Sequence, residues 1–172
     1  VILNYLEEVY PQRPLRGESA LDKARANMML RWSDTHLAST VTEIMRRAKI
    51  SGSSSPKDSA RSVREQLTKF NQLIISQPDY REREVHIGDF CAVISLSYVQ
   101  ALYELCGHTS LFEDFPLLVD WWHHNLQSNP SLLHSVNEML RATVEWLPVT
   151  GKLDAYPDQG LLHCLALEEN VV

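Results

Sequence analysis

The sequence predicts an all-α protein, a helical bundle built around one buried helix at residues 88–106. Three observations carry that expectation. Apolar residues recur every three or four positions along most of the 172 residues, the period of an amphipathic helix. No strand-like alternation is convincing, the nearest to one lying at Val149. The segment Gly88 to Cys106 is apolar round almost its whole circumference, with Ser97, Gln100 and Glu104 as a narrow polar stripe. A helix of that kind is enclosed by others.

The elements follow in order. The opening VILNYLEEVYP shows helical spacing at once, through Val1, Ile2, Tyr5, Leu6 and Val9. No capping residue stands ahead of it, which raises the expectation that a further segment precedes it. The run Tyr10-Pro11-Gln12-Arg13-Pro14-Leu15 breaks the helix, because two prolines so close cannot continue one. A long helix is expected from Ser19 to Ile50, and the Ser/Gly-rich stretch 51–56 reads as a loop. Further helices are expected over 56–76, 88–106, 112–127 and 130–145, with Pro130 in a first turn where its missing N–H costs nothing. Residues 147–172 hold Pro148, Gly151, Pro157 and Gly160 and are expected to be largely irregular. A short helix at 159–169 would pack Leu161, Leu162, Leu165 and Leu167 back on the body.

The long helix carries two apolar sides. Leu30, Leu37, Val41, Ile44 and Ala48 share one face, expected to meet the core. Leu21, Ala24, Met28 and Trp32 share the opposite face, expected to meet a second domain, a subunit or a ligand.

Composition narrows the function classes. At 44% hydrophobic and 22% charged, the chain has ordinary globular composition. No apolar run approaches the roughly 20 residues that span a bilayer, and there is no secretory signal pattern. Cys91, Cys106 and Cys164 are odd in number and not closely spaced. That is no disulfide framework, so a reducing, cytoplasmic location is expected. Net charge is −6, but residues 1–83 hold 14 Lys and Arg against 10 Asp and Glu, and residues 84–172 hold 2 against 12. Such polarity suits orientation towards a partner and equally suits two differently solvated faces. The basic residues Arg46, Arg47, Lys49, Lys57, Arg61, Arg64 and Lys69 have only Phe70 among them to stack a base, so nucleic acid is not the expected partner. His123 and His124 are adjacent on a helix and point about 100° apart, a poor chelating pair; no metal is expected.

The stretch Val85-His86-Ile87-Gly88-Asp89-Phe90 specifies a helix start twice. With His86 as N-cap, the Asp89 carboxylate reaches back to the His86 N–H, half of a capping box. Val85 and Phe90 occupy the positions of a hydrophobic staple. A helix N-terminus disfavours a cationic imidazolium, so His86→Ser is expected to stabilise by roughly 0.5–1 kcal/mol.

This start, leading into a buried helix, resembles the folding motif in the helical domain of cytosolic glutathione transferases. VILNYLEEVYPQRPL resembles the last helix and linker of that family's thioredoxin-like domain. Ala24-Arg25-Ala26 with Arg31-Trp32 resembles the first helix of the helical domain. Phe115-Pro116-Leu117, Trp121 and Asn129-Pro130-Ser131 resemble the penultimate helix and its turn. The resemblance implies that residues 1–15 close a thioredoxin-like domain, that 16–146 form the helical domain, and that 147–172 extend from it. It implies glutathione as co-substrate, with the thiol-activating residue and main glutathione site in a preceding domain and no catalytic residue in this chain. It implies a homodimer or a related partner, and it implies that Met28, Arg31, Trp32, Thr35 and His36 shape the electrophile pocket. Asp34 resembles an acid that in some classes reaches the neighbouring subunit's glutathione amine. The residues leave blander readings open. Met28 and Trp32 suit interface packing as well as a pocket wall, and Asp34 suits a surface pair with Arg31. The whole suits a non-catalytic protein-interaction module as well as part of a transferase.

Overall fold

The computed structural model describes residues 2–12, 14–39, 41–42, 57–77, 79–105, 112 and 114–149. It is all-helical, with six α-helices and no strand among those residues. They are α1 (Ile2–Val9), α2 (Ala20–Trp32), α3 (Lys57–Ile75), α4 (Ile87–Leu105), α5 (Pro116–Ser128) and α6 (Pro130–Val149). A π-helical segment, Ser33–Leu37, continues α2.

Local chemistry sets the helix starts. Ser19 caps α2, its hydroxyl accepting from the Asp22 N–H at 3.0 Å. Pro116 and Pro130 each occupy a first turn. The Asn129 carboxamide caps α6 by accepting from the Leu132 N–H at 3.0 Å. Pro148 lies within the last turn of α6, which runs to Val149. The helix is thus longer than expected, because a proline so near the end forfeits only a terminal bond. The expected helix at 159–169 lies outside the described residues, as do 43–50, Cys106 and Cys164.

The helix α4 is central, packing against α2, the π segment, α5 and α6, while α3 packs on α5. Ala92, Val93, Leu96, Val99, Ala101 and Leu102 of α4 are buried. Around them lie Val63, Leu67, Phe70 and Ile74 of α3, Leu118, Trp121, Trp122 and Leu126 of α5, and Leu132, Val136, Leu140, Val144 and Leu147 of α6. Ser97 and Gln100 of its polar stripe are buried as well. Ser97 gives its hydrogen to the Val93 carbonyl at 2.8 Å and accepts the Trp122 indole N–H at 3.0 Å.

The face of α2 differs from the expectation. Ala26, Met29, Ser33 and Leu37 are buried, and Trp32 lies in the core rather than beside Leu21, Ala24 and Met28 on the outer side. Its ring stacks on Phe70 at 4.1 Å between centroids, and Phe70 meets Trp121 edge-on at 5.2 Å. Leu30, expected in the core, is only partly buried. The reason is steric. A Cβ on Gly88 would sit 2.5 Å from the Ala26 carbonyl oxygen and 2.8 Å from the Met29 Cβ. The small residues on both helices allow α2 and α4 to cross closely, and that contact decides which side of α2 faces inward.

Candidate functional site

The start of α4 gathers the densest polar network. The Asp89 carboxylate, fully buried, accepts from the His86 N–H at 2.8 Å. It also accepts two hydrogen bonds from the Arg83 guanidinium, at 2.6 and 3.0 Å. The Ile87 N–H donates to the Leu15 carbonyl at 2.7 Å, tying the linker after α1 to this helix start. The His86 imidazole is buried, and its Nδ1 has no hydrogen-bond partner. Burial pushes the His86 pKa below its ordinary value, helped by the Arg83 charge and opposed by Asp89 and Asp22. Gly17, with φ +76°, brings the linker against this ring; a Cβ there would sit 3.1 Å from the His86 Nε2.

The connector ahead of α4 is fastened by its charges. Arg25 of α2 pairs with Asp79 at 3.2 Å. Tyr80 and Arg81 both donate to Asp120 of α5. Nothing local in the sequence announces these partners.

The residues expected to shape a substrate pocket differ in burial. Met28 is 40% exposed, and Arg31, Asp34, Thr35 and His36 are exposed, whereas Trp32 is in the core. No ion pair joins Asp34 to Arg31 among the described residues. Asp34, Thr35 and His36 lie in the π segment, whose wider turn carries a bond from the Ala38 N–H to the Ser33 carbonyl. Such bulges are frequent at functional positions. Here hydroxyls accompany it: Ser33 donates to Met29 O, Thr35 to Arg31 O, and Ser39 to Thr35 O. This back-bonding bends helices. Cys91 of α4 faces the segment, with burial and the Asp34 charge both raising its thiol pKa, which makes it a poor nucleophile. Among the described residues, no group of three or more His, Cys, Asp or Glu could hold a metal, and no helix is long and apolar enough to cross a membrane.

Among the described residues two apolar surfaces stand out. The helix α1 buries no residue, and Ile2, Tyr5, Leu6 and Val9 form an exposed face at helical spacing. A groove of about 510 Å³ opens beside Tyr98 of α4 and is lined by Met139, Ala142, Thr143 and Trp146 of α6. In the sequence the groove shows as the spacing 139, 142, 143, 146, a second stripe on a helix whose core stripe runs 132, 136, 140, 144, 147.

No family model, no curated protein and no solved structure matches this chain.

Proposed function

We propose that the chain is the helical part of a glutathione transferase-like protein, supporting a glutathione-binding domain rather than performing thiol chemistry itself. The observation that carries this reading is the start of α4. The Asp89 carboxylate closes the N-terminus of a buried central helix and, through Ile87 and Leu15, the same turn holds the linker from α1. That construction accompanies the order of motifs along residues 1–131. In this reading α1 is the last helix of the glutathione-binding domain, the exposed Leu21 and Met28 face the rest of that domain, Met28, Arg31, Thr35 and His36 border the electrophile with Trp32 behind them, and Asp34 reaches towards a glutathione amine. The test is glutathione addition to 1-chloro-2,4-dinitrobenzene by the natural gene product. A rate above the uncatalysed reaction that falls on Met28→Asp, with folding intact, supports the reading. No glutathione binding and no rate enhancement would overturn it.

One observation favours a second reading, a non-catalytic interaction module. The face of α1 is apolar and uncovered among the described residues, and amphipathic faces of that kind seek a partner. Under this reading Tyr5→Asp abolishes association with a protein partner, and glutathione has no effect on it.

A further inference from the structure

His86 sits beside two contacts of unequal strength. Two residues on, at Gly88, α2 and α4 cross so closely that a Cβ would meet the Ala26 carbonyl oxygen at 2.5 Å. On the other side lies the linker, where Gly17, at φ +76°, comes up against the His86 Nε2. Among the described residues one hydrogen bond, from the Ile87 N–H to the Leu15 carbonyl at 2.7 Å, ties that linker to α4. Ile87 opens the helix, so its N–H has no acceptor within α4. When the linker lifts, that amide is left to water. Arg16 holds to α1 instead, its N–H donating to the Glu7 carboxylate at 3.2 Å, and α1 buries no residue. Linker and α1 can therefore move as one piece.

Protonation is what the ring cannot accept while the linker is down. A cationic imidazole donates from both nitrogens. The His86 Nδ1 is buried without a hydrogen-bond partner, and a buried donor left unsatisfied is costly. The charged groups facing the ring are Asp22 and Arg25 of α2, Arg83 of the connector and Asp89 of α4. Burial and the two arginines oppose the proton, and the two acids favour it. Asp89 already accepts three hydrogen bonds, from Arg83 and the His86 N–H, and Asp22 takes the Ser19 hydroxyl. A charged ring therefore calls for water. Lifting a linker held by one hydrogen bond admits water more readily than parting α2 from α4. We propose that residues 15–17 form a latch closed on the neutral His86 imidazole, and that protonation of the ring releases the linker and α1 from the helical body.

The latch is independent of any glutathione chemistry. Amide exchange read by NMR on the full chain tests it, with the Ile87 amide as reporter. An imidazole in water takes its proton near pH 6.5, so the open form gains on the closed one as pH falls below that value. Between pH 7 and 5.5, Ile87 protection, corrected for the intrinsic rate, is expected to fall by more than about twofold and by no more than about tenfold, the limit for one imidazole titrating freely in the open form. The Phe90 amide, which bonds to the His86 carbonyl, and the Leu96 amide inside α4 are expected to keep their protection. His86→Gln, neutral throughout, is expected to show no such fall. Gly17→Ala keeps His86 and forces a left-handed conformation on a side chain, and is expected to lower Ile87 protection at pH 7 by about fivefold or more with Leu96 unchanged. Four results overturn the proposal: Ile87 protection that is flat with pH, a fall that Phe90 shares, an equal fall in His86→Gln, or Gly17→Ala without effect on Ile87.

Discussion

Arg83 and Asp89 meet through two hydrogen bonds of 2.6 and 3.0 Å, and the carboxylate they share is fully buried at the first turn of the central helix. The same carboxylate serves the His86 N–H. Three donors therefore depend on one acid. Removing one partner of a buried pair costs about 3–5 kcal/mol, because the other charge is left without compensation. Asp89→Ala should lower stability by that amount in urea unfolding. Asp89→Asn should cost less, since its carbonyl can still serve His86. In a double-mutant cycle with Arg83→Ala, the coupling should exceed about 1 kcal/mol. Additive single effects would mean that the capping bond alone matters.

Gly88→Ala offers a test in which helix propensity and packing have opposite signs. In an exposed helix, alanine improves on glycine by about 1 kcal/mol. Here the new Cβ would lie 2.5 Å from the Ala26 carbonyl oxygen, far inside contact distance. The two helices must part, at a cost of about 1–3 kcal/mol. A net loss of stability is expected. A gain would show that α2 yields without penalty and that the close crossing does not set its inward face.

The Trp122 indole and Ser97 hydroxyl form a buried pair whose loss is asymmetric. Ser97→Ala leaves the indole N–H without its acceptor and should cost about 1–3 kcal/mol. In a Trp122→Phe background no donor is left stranded, so the same substitution should cost much less. Equal costs in both backgrounds would indicate that the Ser97 bond to Val93 carries the effect.

These sites differ in how far the sequence revealed them. The cap of α4 is legible because its partners lie within a few residues, His86, Asp89 and Phe90, whereas the Leu15 carbonyl that takes the Ile87 N–H is distant in sequence. The capped start at Ser19 and the prolines at 116 and 130 are legible too. The inward face of α2 is not, because its centre is made of Ala26 and Ser33. Their value there is smallness, which a reading by hydrophobicity ranks low. Trp32, at the margin of that face, is long enough to swing onto Phe70. Arg25, Tyr80, Arg81 and Arg83 read only as a charged run and its surroundings. Their partners at Asp79, Asp120 and Asp89 are fixed by the packed helices for all but Arg83, whose acid is near in sequence but could equally have faced water.

His86 connects the sequence expectation to a pH dependence. The gain expected from His86→Ser assumed a cation at the helix start. The ring is buried, with a pKa pushed below the ordinary value, so near neutral pH the cation is absent and serine would forfeit ring packing instead. The groups facing the ring are Asp22, Arg25, Arg83 and Asp89. An unfolded histidine binds its proton near pH 6.5, while the folded one resists until lower pH. Stability contributed by neutral His86 is therefore complete above about pH 6.5 and is lost as pH falls towards the folded pKa. Unfolding measured between pH 7 and 5 should show the unmodified chain losing more stability than His86→Gln. Parallel profiles for the two proteins would mean that the Asp89 and Asp22 charges around the ring cancel its burial.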